Sequence, residues 1–102
     1  MSKDKNNSIM QRDDSYCYIH MKYLGLEVKP CHKHHCLHGT SNRKWAEKDG
    51  LYVFLCQSCH QMLHDQGYHD LDLQQEAERA WLDYYGKTTK DWIARYIRNY
   101  LD

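Results

Sequence analysis

Apolar and polar positions divide the chain into an irregular first two thirds and a periodic last third. Leu51 to Leu55 is an apolar, β-prone run that predicts a strand, with Gly50 turning the chain into it. Cys31 to Cys36 predicts the earlier strand of the same unit, and Ser58 to Gln66 predicts a helix that points Met62 and Leu63 at the core, with Gly67 as its cap. Further on, Asp72 is placed to N-cap a helix running to Tyr85, with Gln75 at the capping-box position. Leu73, Ala77, Ala80, Trp81 and Tyr84 give that helix one apolar side, and Gly86 ends it. Thr88, with Asp91 three residues on, starts a last helix. There Trp92, Ile93, Tyr96, Ile97, Tyr100 and Leu101 recur as adjacent pairs every four residues, a stripe that packs within the domain or across a dimer interface.

The remaining segments are read from punctuation. Met1 to Asn7 is polar and reads as a frayed leader. Ser8 to Arg12 forms a short turn or strand leading to Cys17 and His20, with Tyr16, Tyr18 and Ile19 as packing residues. Gly25 and Pro30 make Met21 to Val28 a turn between short extended pieces. Gly39 to Arg43 is a turn, and Lys44 to Lys48 a brief helix with Trp45 as a core anchor. The expected organisation is a leader over 1–7, a core over 8–70 and a helical pair over 71–102.

Composition narrows the class. A chain of 102 residues makes one small domain with a modest core, for which an external staple is plausible. No apolar run reaches the length of a membrane span and no charged-then-apolar leader precedes the domain, so an intracellular protein is expected. Five cysteines, an odd number, stand in C-x-x-H and C-x-x-C spacings beside eight histidines. That pattern favours metal ligation over disulfides. The net charge is zero, but residues 1–48 carry nine Lys or Arg against five Asp or Glu, and 49–102 carry five against nine. The first half is therefore a candidate nucleic-acid face, the plain alternative being an ordinary mixed-charge surface.

The spacing of ligand-type residues implies two ions. His34 and His35, adjacent on an extended segment, point to opposite sides, so one can ligate a metal while the other faces substrate or water. His60 and His64, four apart on a helix, share a face and one ion. Cys56 and Cys59 suit a separate ion, and Cys17 with His20 completes a tetrahedral Cys3His zinc site, although a lone histidine in such a place can also be structural or exposed. Cys31 and Cys36 lack a C-x-x-C partner and read as core fillers. His32 and His38 read as facing solvent or DNA, and Asp65 as solvated. Arg95 and Arg98 lie off the apolar stripe, toward phosphate or solvent.

Taken in order, Ser8-Ile9-Met10-Gln11, Cys17-Tyr18-Ile19, His32-Lys33-His34-His35-Cys36, Gly39-Thr40-Ser41-Asn42-Arg43 and Gly50-Leu51-Tyr52-Val53-Phe54-Leu55-Cys56 running into Cys59-His60 resemble the HNH endonucleases of the ββα-metal (His-Me finger) fold, and more closely their small phage-type members. The resemblance covers roughly Ser8 to Leu101. It implies an α+β domain, a zinc-stapled ββα-metal unit followed by two C-terminal helices. It also implies a metal-dependent endonuclease that nicks or cuts duplex DNA, with His34, His60 and His64 holding one divalent ion (Mg²⁺, Mn²⁺, Ni²⁺ or Zn²⁺) and His35 as general base. Lys33, Arg43 and Lys44 would contact phosphate. The family's knuckle usually carries cysteine where this chain has His20. Its bracing asparagine often stands just before the second strand, where this chain has Asp49-Gly50, so Asn42 is the nearest residue for that role. Phage DNA processing near packaging is implied, with DNA and packaging proteins as partners and the bacterial host cytoplasm as location. The alternatives are a zinc-stabilised nucleic-acid- or protein-binding domain without catalysis, and a structural zinc protein acting through its C-terminal helices.

Overall fold

Two short strands, β1 (His32–His35) and β2 (Tyr52–Leu55), pair antiparallel with His34 opposite Val53 and His35 opposite Tyr52. This computed structural model describes residues 7–30 and 32–101. Five helices surround the pair among those residues: α1 (Tyr18–Leu24), α2 (Thr40–Asp49), α3 (Gln57–Gln66), α4 (Asp70–Tyr85) and α5 (Thr89–Tyr96). The expected α+β class is the one the chain adopts. The leader positions 1–6 and Cys31 lie outside the described residues.

A two-stranded sheet of this length is marginal alone, so its stability comes from what covers it. Val53 and Leu55 are fully buried with Ile19 of α1, Leu63 of α3, Leu73, Ala77 and Trp81 of α4, and Trp92 and Tyr96 of α5. On the edge of β2, residues 8–11 make a polar bracket rather than a third strand. Ser8 Oγ donates to the Tyr52 carbonyl at 2.6 Å and accepts from the N–H groups of Met10 and Gln11, both at 3.0 Å. Gln11 Oε1 accepts from the Phe54 N–H at 2.8 Å. Asn7, assigned to the leader, donates its N–H to the Tyr52 hydroxyl. Gly50 makes this approach feasible: its φ is +80°, and a Cβ there would stand 2.4 Å from the Asn7 carbonyl oxygen.

Several boundaries differ from the sequence expectation, each for a local reason. Residues 21–24 are helix, not turn. Gly25 in the left-handed region donates its N–H to Met21 O, the bond of an αL cap, and Leu26 donates to His20 O, so Gly25 closes a helix instead of interrupting strands. Residues 40–43 are likewise the first turn of α2 rather than a loop, with Arg43 N–H bonded to Gly39 O. Asp72 does not cap α4. His69, at φ 58°, occupies that position, and Asp72 accepts from its Nδ1 at 2.8 Å one turn inside the helix. Gln75 reaches the Tyr100 carbonyl instead of serving a capping box. The Thr88–Asp91 capping box of α5 is present in both directions.

The last helix stops five residues early. Ile97 turns at φ 76°, and Trp92 Nε1 donates to Arg98 O while the Tyr100 N–H donates to Glu78, so the tail folds back on α4. Trp92 and Tyr96 are buried, whereas Ile93 and Ile97 are exposed, so the expected stripe is only half used, and Tyr84 of α4 is exposed as well. Met62 faces outward rather than into the core. Trp45 is no core anchor either, being 37 % exposed with the Arg95 guanidinium 4.0 Å over its ring.

Arg95 is held there by Asp49, the last residue of α2. Its buried carboxylate accepts from Arg95 Nε at 2.6 Å and Nη2 at 2.8 Å, from Trp81 Nε1 at 2.9 Å and from the Tyr96 hydroxyl at 2.5 Å. One side chain thus ties the β2 approach to α4 and α5. Removing one member of a largely buried charge pair strands its partners. Asp49→Ala is expected to lower the unfolding free energy by about 3 kcal/mol, read as a reduced midpoint in urea denaturation.

Candidate metal centres

Cys17 and Cys56 occupy equivalent places, each extended in backbone and immediately before a helix, α1 and α3. His20 and Cys59 then lie one turn inside those helices, so each pair presents two ligand atoms from the first turn. The pairs face each other. His20 Nδ1 is 3.6 Å from Cys56 Sγ and 3.5 Å from Cys59 Sγ, and the four ligand atoms with Cys17 Sγ lie within 4.8 Å of one another. A tetrahedral ion with Zn–S of about 2.3 Å and Zn–N of about 2.0–2.1 Å separates nitrogen from sulfur by about 3.6 Å. The geometry therefore fits, and the cluster can hold a metal ion such as zinc. Burial pushes the Cys56 thiol up, but hydrogen bonds from the Ser58 hydroxyl, the Cys59 backbone and the Cys59 and Cys17 thiols outweigh it and bring it down to about 6. Burial and the neighbouring sulfurs push Cys59 up. Cys36, fully buried against Met10 sulfur at 3.7 Å, is raised by burial and remains a core thiol, as read from the sequence.

The second cluster is built by register. His34 on β1 is buried and aims at α3, where His60 and His64 stand on one face with their Nε2 atoms 3.1 Å apart. Ring centroids of His34 lie 5.2 Å from His60 and 5.8 Å from His64, and one nitrogen of each ring falls within 4.8 Å of the others. His34 Nε2 is buried without a hydrogen-bond partner. An orphaned ring nitrogen of this kind is costly unless something fills it. Burial and the surrounding histidines lower His34 to about 3, so its ring is neutral at ordinary pH and presents a lone pair. The three imidazoles can hold an ion, and among the described residues no thiol or carboxylate joins the set, which leaves coordination positions for other ligands.

These imidazoles open into a cleft of about 170 Å³ shared with Lys33, His35, His38 and Arg43. No protein-family model, curated protein or solved structure matches the chain. The cleft's chemistry therefore rests on its own groups.

Several residues singled out in the sequence have surroundings that local pattern did not signal. His35 Nε2 lies 2.7 Å from Glu47 Oε1, and Asn42 makes no hydrogen bond to His35, so the partner of this ring is a carboxylate from the last turn of α2. Lys33 lines the cleft and pairs with Glu47. Its ammonium reaches both Glu47 oxygens at 3.3 Å and sits 4.3 Å over the Tyr52 ring. The His35 hydrogen bond, with Lys33 adding to it, lowers the Glu47 carboxyl below its usual range. Lys44 lines a separate hollow with Ser41, Trp45 and Lys48 rather than the histidine cleft. His32 and His38 are exposed, as expected from the sequence; the His32 ring lies obliquely 5.1 Å from His60, and His38 pairs with Asp70 at 2.9 Å. Asp65 accepts from Gln61 on the exposed side of α3.

Glu47 was discoverable. Arg43 and Glu47 are four apart, so once the helix is extended back to Thr40 both fall on the face beside the dyad.

Metal analysis of purified protein is expected to give two ions per chain, with His34→Ala reduced to one and still folded. Cys56→Ala or chelation at the four-ligand cluster is expected to unfold the domain, because binding energies of about 10–16 kcal/mol at such sites are folding energy. Circular dichroism with and without EDTA reads the difference.

Proposed function

We propose that the chain is a metal-dependent endonuclease of the HNH type that hydrolyses phosphodiesters in duplex DNA. The observation that carries this reading is that His35, Arg43 and the three-imidazole cluster open into one cleft. In this reading the Cys17, His20, Cys56 and Cys59 cluster binds a structural zinc that joins the α1 and α3 starts, and so sets where His60 and His64 stand relative to β1.

His34, His60 and His64 would hold a divalent ion, which would supply Lewis-acid polarisation of the scissile phosphate. His35 accepts a proton from water as its oxygen forms a bond to phosphorus. The bond from phosphorus to the leaving sugar oxygen breaks, and that oxygen is reprotonated from solvent. Arg43 contacts the phosphate, a role suited to its planar donor fork. Lys33 acts through Glu47. In this reading the chain cuts with little sequence preference of its own. A phage role near DNA packaging follows from the same resemblance and remains part of the proposal.

The non-catalytic alternative draws on one observation, the absence of a bond between Asn42 and His35. A single experiment separates the two readings. Metal-stripped protein is incubated with supercoiled plasmid and Mg²⁺, Mn²⁺, Ni²⁺ or Zn²⁺ is added back singly, beside His35→Ala. Nicking is expected with at least one ion and is expected to fall about 10²–10⁴-fold in the variant, which keeps its fold and its DNA affinity by gel shift. Binding without cutting under every ion selects the binding module.

A further inference from the structure

We infer that Glu47 is a positioning residue for His35: its carboxylate accepts the Nε2 proton of the imidazole, holding the ring in a single tautomer and orientation with Nδ1 as the free acceptor. The inference rests on the reading of His35 as the group that takes the proton from water.

The geometry is a closed circuit of four side chains. His35 Nε2 stands 2.7 Å from Glu47 Oε1. Lys33, two residues back along β1 and therefore on the same face of the strand, binds both Glu47 oxygens at 3.3 Å. Its ammonium lies 4.3 Å over the Tyr52 ring, and that ring meets the His35 ring edge-on at 5.7 Å. His35 and Tyr52 are direct partners in the strand pairing, so β1, β2 and α2 each contribute to the circuit. An isolated surface ion pair samples many geometries and contributes little. Here the carboxylate has partners on two sides and the imidazole is bounded by the carboxylate and an aromatic edge.

The consequence for the ring follows from donor and acceptor capacity. A carboxylate only accepts, so the nitrogen facing it must carry the hydrogen. In a neutral imidazole the other nitrogen then holds the lone pair, and which nitrogen that is follows from the bond made by its counterpart. Only one end of His35 can therefore receive a proton, and that end is the one turned away from Glu47. The carboxylate thus both orients the ring and selects its tautomer. It is delivered by the same helix face that carries Arg43 into the cleft, so one rotation of α2 sets the general base and the phosphate contact together.

Two readouts on the zinc-loaded full chain test this. Long-range ¹⁵N–¹H correlation spectra at alkaline pH distinguish protonated from unprotonated ring nitrogens. Wild-type His35 is expected as the Nε2–H tautomer, Glu47→Ala as a mixture of both, and Glu47→Gln, whose amide oxygen still accepts, close to wild type. The Glu47 side chain is half exposed, so these variants keep the fold. In plasmid nicking, Glu47→Ala is expected to lower kcat by roughly tenfold to a hundredfold with KM little changed, and Glu47→Gln to recover most of it. An Nδ1–H tautomer in the wild type, an unchanged His35 spectrum in Glu47→Ala, or a loss confined to KM overturns the assignment. The spectra report whether or not DNA is cut, so a chain inactive in every form removes the nuclease reading while the tautomer still decides the role of Glu47.

Discussion

The pairing register of β1 on β2 is the constraint from which the rest follows. Side chains alternate across a strand, so a slip of one residue would exchange the places of His34 and His35. With His34 opposite Val53, the buried ring faces α3 and joins His60 and His64, while its neighbour faces α2 and finds Glu47. The four-residue strands have too few ladder bonds to enforce this choice themselves. Register is secured instead from the edges: Ser8 and Gln11 bond the outer side of β2, and Cys36 N–H extends the pairing to Leu51 O.

Two polar anchors then hold the helices against this pair. At one end the Cys17, His20, Cys56 and Cys59 cluster draws the starts of α1 and α3 together. At the other, Asp49 collects four hydrogen bonds from three side chains of α4 and α5. Both anchors sit where a strand meets a helix, with Cys56 following β2 and Asp49 ending α2 just before it. A small domain buries a limited fraction of its apolar surface, and these directional contacts specify positions that packing alone would leave loose. The placement of His60 depends on the first anchor because Cys59 precedes it on α3. The placement of Glu47 depends on the second, since Asp49 lies two residues beyond it on α2.

The cleft itself is electrostatically divided. On the α3 side, crowded imidazoles and burial keep His34 neutral and able to donate a lone pair. On the α2 side, an ionised carboxylate between an ammonium and an imidazole makes the opposite environment. Adjacent residues of one strand thus sit in opposite electrostatic surroundings. The separation is a product of strand alternation, with no special backbone conformation at either residue.

Local pattern was enough for the elements whose signals are short range. The apolar run of β2, the capping box of α5, the Gly67 and Gly86 helix ends and both ligand groupings were legible, because i, i+3 and i, i+4 spacing places side chains on one face whatever the remainder of the chain does. Where tertiary contacts compete with local preference, the sequence was a poor guide. Gly25 could interrupt strands or close a helix, Asp72 could cap or not, and α5 could run on through Ile97; packing of the tail on Glu78 and of α1 on the sheet chose between them. Charged residues were the least readable. Lys33 and Arg95 read as phosphate or solvent contacts, Asp49 and Glu47 carried no sign of a partner, and each found one more than ten residues away. Long-range pairing of charges leaves no periodic trace along a chain, so only the folded arrangement determined which carboxylate faces His35.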